Sequence, residues 1–91
     1  MEGGRPVRVR VHPRVRERHP DIEGEDVVHA FEGTLRSRAR DTHPLQWVGV
    51  GPDRGGRLLQ YIAVEIEPDG WLIFHAMLAT NAVLTEVGLR R

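Results

Sequence analysis

The sequence predicts a small α+β domain: an antiparallel sheet of about four strands, with two N-terminal helices packed on one face and a short C-terminal helix. Three observations lead to this fold class. Apolar and charged residues alternate near the N-terminus, a helical spacing of apolar residues follows, and two β-rich hairpins occupy the second half. Because the chain has 91 residues, of which 40% are hydrophobic, residues 1–91 are expected to form one domain.

The chain begins with a predicted strand and a short helix. Val7, Val9 and Val11 alternate with arginines, which is the period of two that is typical of a half-buried strand. Pro13 ends this pattern and suits the first turn of a helix, whereas Pro20 stops it. We therefore predict a short helix between the two prolines.

A second helix is predicted from about residue 24 to residue 33. Its first turn is acidic, which complements the positive end of the helix dipole, and Gly33 is the predicted C-cap. Residues 34 to 44 show no clear period and are predicted to form a loop or a helix extension. The apolar face of the helix consists of Val27, Val28, Ala30 and Phe31.

Two adjacent hairpins are predicted after Leu45. The strands read LQWVGVG, RLLQYIAVEIE and WLIFHAML, and the turns between them read PDRGG and PDG. In the second turn, Pro68 suits the first central position and Gly70 can adopt the positive φ of a bulge. The segment from residue 80 to residue 89 is predicted to form the closing helix. A three-residue loop in the second hairpin pairs Glu67 with Trp71, Glu65 with Ile73, Ala63 with His75 and Tyr61 with Met77.

Composition excludes several classes of protein. The chain has no cysteine, so disulfides, thiolate metal sites and cysteine nucleophiles are excluded. No apolar run approaches the ~20 residues that span a bilayer, and we expect a cytoplasmic protein without a membrane partner. The spacing of the five histidines matches no zinc motif, so neither a metal nor another cofactor is expected.

Charge is strongly patterned although the formal net charge is zero. Residues 1–20 carry six arginines, whereas residues 21–33 carry five acids and no base. The arginines at the N-terminus can track an RNA backbone or can pair with the acidic stretch, and both interpretations stay open. These arginines are Arg8, Arg10, Arg14 and Arg18.

Two further features involve arginine. All thirteen basic residues are Arg, which fits the codon bias of a GC-rich genome better than local selection for guanidinium groups. Arg54 lies at the tip of the turn in GVGPDRGG, where it can contact a partner such as RNA. This string is not a phosphate loop, because it lacks a Lys and a strand follows it.

Three stretches carry a family resemblance: RERHPDIEGEDVVHAFE, VGVGPDRGGRLLQYIAVEI and WLIFHAMLAT. Together with the order of elements, they resemble the RelE/ParE superfamily of ribonuclease toxins, and most closely its BrnT-like branch. The resemblance implies a RelE-like fold and a metal-independent mRNA endonuclease, the toxin of a bacterial type II toxin-antitoxin pair. Its partners would be an RNA substrate and a cognate antitoxin protein. The chain departs from this family at His75, where Arg is expected, and it lacks Lys and a terminal Tyr.

Metal-independent RNA cleavage requires a base, a cation on the phosphate and a proton donor. The predicted register places Arg57, Tyr61, Glu65 and His75 on one face of the sheet. Arg57 would hold the phosphate, Glu65 or His75 would act as the base, and His75 or Tyr61 would donate a proton. The alternative, a solvated strand face with cross-strand pairs, is the commoner situation for such residues.

A second class of function uses the same scaffold without catalysis. An exposed sheet face or edge strand can dock a partner protein or form a homodimer, and a chain of this size gains stability from such an interface. RNA binding without cleavage is less favoured. Only Tyr61 and Trp71 are aromatic on the predicted site face, which is too few for a base-stacking platform.

Overall fold

The computed structural model describes residues 8–66 and 68–91, and in this part of the chain a five-stranded sheet carries three helices. The α+β class is confirmed. Val7 and Glu67, the residue predicted to pair with Trp71, lie outside the described residues. The elements are β1 (Arg8–Val11), α1 (Pro13–Arg18), α2 (Gly24–Glu32), β2 (Arg36–Arg40), β3 (Gln46–Pro52), β4 (Leu58–Ile66), β5 (Gly70–Leu78) and α3 (Asn81–Glu86).

The sheet is mixed, with strand order β1-β5-β4-β3-β2. The last four strands of this order pair antiparallel, but β1 lies parallel to β5, with Val9 opposite Trp71. The prediction of a purely antiparallel sheet was therefore wrong at this edge. The intervening helices and strands carry the chain back across the sheet, which a parallel pairing requires.

The fifth strand, β2, is the element that the sequence pattern did not reveal. Residues 34 to 44 were predicted to be a loop or helix extension, yet Arg36–Arg40 pairs with β3. Arginine alternates here with Ser37 and Ala39, so the period of two is present without any large apolar residue. An edge strand that is exposed along most of its length does not need one.

The helices begin and end largely where capping residues predict. The His12 ring accepts a hydrogen bond from the backbone N–H of Arg14 at 3.1 Å, and Pro13 occupies the first turn of α1. Gly33 is the C-cap of α2. The Thr80 hydroxyl caps α3 by accepting from the N–H of Val83 at 3.3 Å.

The main core lies between the sheet and the two N-terminal helices, on the side that we call the helix face. Val15 of α1 and Val27 of α2 pack against Leu59, Tyr61 and Ile73 of the sheet, and all five are buried. The approach of α2 to β3 is so close that a Cβ at residue 51 would overlap the backbone carbonyl of Ala30. Glycine at this position therefore sets the depth to which α2 packs.

The opposite side, which we call the α3 face, carries a smaller core. Val48 and Val50 pack there against Val83 and Val87 of the C-terminal segment. The two faces alternate along β3, because Gly49 and Gly51 lie on the helix face between these valines. No helix in residues 8–66 and 68–91 has the length and apolar character to cross a membrane.

The register of the β4–β5 hairpin differs from the predicted one. Ile66 pairs with Gly70, so the first pair of the hairpin lies one residue earlier on each strand than predicted. Asp69, not Gly70, adopts the positive φ, at 52°. Asp tolerates the left-handed region because its short side chain can bond to nearby backbone. A bulge at Phe74 then shifts the pairing again, since Ala63 faces Ile73 whereas Ile62 faces His75.

Candidate functional site

The structure separates the four residues of the predicted catalytic set. Tyr61 and Glu65 share the helix face, but His75 lies opposite Ile62 and therefore on the α3 face. The predicted cross-strand pairs of Glu65 with Ile73, Ala63 with His75 and Tyr61 with Met77 were wrong, because pairing begins at Ile66 and Gly70 and β5 carries the bulge. The proposed constellation of Arg57, Tyr61, Glu65 and His75 is not assembled.

Tyr61 is a core residue and not an accessible proton donor. Only 4% of its surface is exposed, and its hydroxyl forms a 2.9 Å hydrogen bond with the hydroxyl of Thr34. Burial raises the pKa of Tyr61, and the hydrogen bond to Thr34 only partly opposes this rise. Glu65 is exposed near the C-terminal end of the same strand, β4.

Arg57 holds the β3–β4 turn together. Its Nε donates to Asp53 Oδ2 at 2.6 Å, while Asp53 Oδ1 accepts from the backbone N–H groups of Gly55 and Arg57 at 2.9 and 2.7 Å. Burial alone would raise the pKa of Asp53, which is 3% exposed, but these hydrogen bonds together hold it below the usual value. The Arg57 guanidinium group is therefore held in the turn by its pairing with Asp53.

Arg54 pairs with the acidic start of α2. Its backbone N–H and its Nε both donate to Asp26 Oδ1, at 3.1 and 2.9 Å, and its Nη1 donates to Glu25 at 2.9 Å. The side-chain hydrogen bond from Arg54 is the main reason that the pKa of Asp26 is lowered. Arg54 therefore pairs with the acidic stretch.

The predicted N-terminal arginines divide into two groups. Arg8 and Arg10 are exposed on the edge strand β1, where Arg8 donates to the carbonyl of Pro68 at 3.4 Å. Arg14 and Arg18 project from α1, one turn apart, into a cleft between this helix and β5. Among the described residues, Arg10, Arg14 and Arg18 form no ion pair with the acidic stretch.

The cleft between α1 and β5 brings two arginines and two histidines together. It has a volume of about 220 Å³, and the His19 and His75 ring centroids are 6.5 Å apart in an edge-to-face arrangement. His19 is placed by the C-cap of α1, where its backbone N–H donates to Val15 at 2.9 Å. No acidic side chain of the described residues lines the cleft. The lining residues are Arg14, Val15, Arg18, His19, Ile62, Phe74, His75 and Ala76.

The hydrogen-bond network beneath the cleft selects one tautomer of His75. Gln60 Oε1 accepts from the backbone N–H and the hydroxyl of Thr80, at 2.8 and 2.9 Å, so the Gln60 amide nitrogen points the other way. This nitrogen lies 3.2 Å from His75 Nε2. Because an amide nitrogen only donates, His75 Nε2 must accept, and the neutral ring carries its proton on Nδ1.

The surroundings also keep the His75 ring uncharged. Burial lowers the pKa of His75 below 6.5, and electrostatic interactions with the neighbouring His19, Arg40 and Arg18 lower it further. A proton on Nε2 would face the Gln60 donor, which opposes the charged form as well. At neutral pH His75 is therefore a neutral hydrogen-bond donor.

We expect this protonation state to be visible by NMR. Long-range ¹H–¹⁵N correlation spectra at pH 7 should show His75 as the Nδ1–H tautomer, and its titration midpoint should lie below 6.5. Gln60→Leu, which removes the facing donor, should move this midpoint upward. An Nε2–H tautomer in the wild type would contradict the Gln60 arrangement.

Two members of this cluster were missed by sequence reasoning. His19 falls in the short helix predicted between the two prolines and was given no role, and Gln60 was placed in a strand without a role of its own. The available signals were polar residues inside apolar runs, namely Gln60 in RLLQYIAV and His75 in WLIFHAML. Their partners come from distant parts of the chain and follow from no local pattern.

The described residues contain no group of three or more His, Asp or Glu side chains that could hold a metal ion. Comparisons of the chain with protein-family models, with curated proteins and with solved structures found no match.

Proposed function

We propose that this protein binds RNA in the α1–β5 cleft and cleaves it without a metal, as a ribonuclease toxin that a cognate antitoxin neutralises. The observation that supports this proposal is the composition of the cleft. Two guanidinium groups and two imidazoles line it, and no described acidic side chain opposes an incoming phosphate. Arginine is well suited to phosphate because its planar group can donate two parallel hydrogen bonds.

The chemistry that this set permits is attack by the ribose 2′-OH. His19 accepts the 2′-OH proton as the 2′ oxygen bonds to phosphorus and the bond from phosphorus to the 5′ oxygen breaks. Arg14 and Arg18 stabilise the charge that develops on the phosphoryl oxygens, and His75 donates a hydrogen bond from its neutral ring. The leaving 5′ oxygen takes a proton from water. The products are a 2′,3′-cyclic phosphate and a 5′-hydroxyl.

Cleavage of end-labelled single-stranded RNA in excess EDTA tests this proposal. His19→Ala and the larger His19→Gln should both reduce the rate at least about 100-fold, as expected for loss of a proton acceptor. Arg16→Gln is the matched control, because Arg16 is exposed on α1 but does not line the cleft. This control should retain near wild-type activity.

The products and the folded state complete the experiment. Phosphatase-resistant 3′ ends that acid treatment converts to phosphatase-sensitive ends identify a cyclic phosphate, and circular dichroism confirms that each variant is folded. Full activity in both His19 variants would contradict the site. If the folded wild type binds RNA but does not cleave it, the proposed ribonuclease activity is wrong, and RNA binding is the remaining function of the cleft.

A non-catalytic interaction module is the second candidate, and the edge strand β2 favours it. This strand ends the sheet, and four of its five residues are exposed, so its outer backbone groups can pair with an added strand. Its arginines would select an acidic partner strand, whereas they would repel a second copy of β2. A stable complex with an acidic protein partner, without RNA cleavage, would support this candidate.

A further inference from the structure

A second cavity lies on the helix face, away from the α1–β5 cleft. Its volume is about 290 Å³, and four aromatic rings form most of its wall. Tyr61 is buried at its base, while Ser37 and Glu65 are exposed at its rim. The lining residues are Phe31, Thr34, Ser37, Trp47, Tyr61, Glu65 and Trp71.

The aromatic rings are inclined to one another and are not stacked in parallel. Phe31 lies 5.1 Å from Tyr61 at an interplanar angle of 64° and 5.5 Å from Trp71 at 56°, both measured between ring centroids. The Tyr61 ring is fixed by its hydrogen bond to Thr34 and crosses β3 at Gly49, where a Cβ would overlap it. A planar group such as a nucleobase stacks best between parallel faces, whereas inclined faces surround a compact, rounded group.

The charge of the cavity is negative. Glu65 pairs across the sheet with Trp71, which places its carboxylate beside the aromatic wall, and it forms no ion pair with another described residue. No arginine among the described residues lines the cavity. Aromatic faces carry negative partial charge and attract cations, and a nearby carboxylate adds to this attraction.

Trp47 provides a second observation that points to a ligand. Its indole nitrogen is the buried side-chain polar atom without a hydrogen-bond partner in the described part of the chain. Buried donors are normally satisfied, so a ligand with an acceptor near its charged group fits this cavity better than a purely apolar one.

We propose that this cavity binds a methylated ammonium group. Several inclined ring faces surround its rounded shape, the methyl groups need no hydrogen bonds, and Glu65 neutralises the positive charge. This inference is independent of the proposed ribonuclease activity, because no described residue lines both this cavity and the α1–β5 cleft.

Tryptophan fluorescence provides a direct measurement, since both tryptophans of the chain line this cavity. Choline and its neutral isostere 3,3-dimethylbutan-1-ol differ only by the replacement of the charged nitrogen with carbon. Titration with choline should change the emission of the wild type and saturate, whereas the isostere should bind at least about three-fold more weakly. Equal affinity for the two compounds would overturn the proposal.

Glu65→Gln tests the charge with little change of shape. This exposed residue is not needed for folding, so the variant should retain the wild-type emission spectrum but bind choline at least about three-fold more weakly. Asp41→Asn, which removes an exposed carboxylate outside the cavity, should bind choline as the wild type does. Unchanged binding in Glu65→Gln would also overturn the proposal.

Two further titrations identify the source of the group. A capped trimethyllysine carries the same cation on a peptide side chain, and affinity above that for choline would assign the cavity to modified peptides. Guanosine tests the competing planar class. Saturable binding of guanosine with no response to either cation would contradict the ammonium assignment, whatever the result of the RNA cleavage assay.

Discussion

Gly51→Ala is expected to destabilise the protein by about 3 kcal/mol, which corresponds to a fall of about 15 °C in the thermal midpoint. The added methyl group would overlap the carbonyl carbon and oxygen of Ala30, which belong to the backbone of α2. A side chain can rotate away from such an overlap, but a helix backbone must move as a whole. Moving α2 off β3 opens the core around Val27 and Ala30, both 1% exposed.

Gly24→Ala is the matched control for this substitution. Gly24 is the first residue of α2, and a Cβ built there has no neighbour within 4 Å. Because alanine favours helix over glycine, this variant should be unchanged or more stable by up to about 1 kcal/mol. Urea denaturation of both variants measures the two effects. A Gly51→Ala variant within about 0.5 kcal/mol of the wild type would show that α2 can shift freely on the sheet.

The elements that could be predicted from the sequence are those with a strong local signal. The β3–β4 and β4–β5 hairpins follow from long apolar strands and Pro–Gly turns, and the helices follow from apolar spacing and caps. β2 could not be recognised in this way. Its stabilising contacts are backbone pairing with β3 and the bidentate pair of Arg40 with Glu86, at 2.9 and 2.8 Å, which involves a residue 46 positions away.

The register error had a larger consequence for the site than the missed strand. A one-residue difference in a strand moves every later side chain to the opposite face. The earlier first pair of the hairpin shifts each partner on β5 by two residues and leaves its face unchanged, whereas the bulge at Phe74 inserts a single residue, so His75 reaches the α3 face. Neither the position of the first pair nor the bulge has a distinctive local sequence, because the bulge at Phe74 involves no glycine or other turn residue.

The residues that line the candidate site were easier to predict than their arrangement. His75, Arg14 and Arg18 were all among the predicted site residues. Their common location depends on α1 passing beside β5 beyond the end of β1. Arg54 and Arg57 were predicted to contact RNA. The fold instead brings a carboxylate oxygen within 3 Å of each guanidinium group, and each pairs with it.

Asp53→Asn is expected to lower the thermal midpoint by about 10 °C at pH 7. The asparagine oxygen can still accept from the backbone N–H groups of Gly55 and Arg57. Its amide nitrogen, however, would face the Nε–H of Arg57, which replaces an ion pair by two opposed donors. The substitution acts on a buried carboxylate, so solvent cannot easily substitute for the lost acceptor.

The pH dependence of this difference distinguishes loss of charge from loss of packing. The pKa of Asp53 is lowered in the folded protein, so the carboxylate stabilises the fold fully above its unfolded value of ~3.9. That contribution is lost as the pH falls through the lower, folded value. The gap between wild type and Asp53→Asn should thus be constant above about pH 5 and shrink below about pH 4.

Asp41→Asn serves as the control, because Asp41 is exposed and forms no hydrogen bond or ion pair with another described residue. Its thermal midpoint should follow the wild type at every pH. A gap for Asp53→Asn that stays constant down to pH 3 would mean that packing, and not the charge, holds the turn. A shrinking gap would mean that Arg57 is fixed by Asp53 and is unavailable to any phosphate bound elsewhere on the sheet.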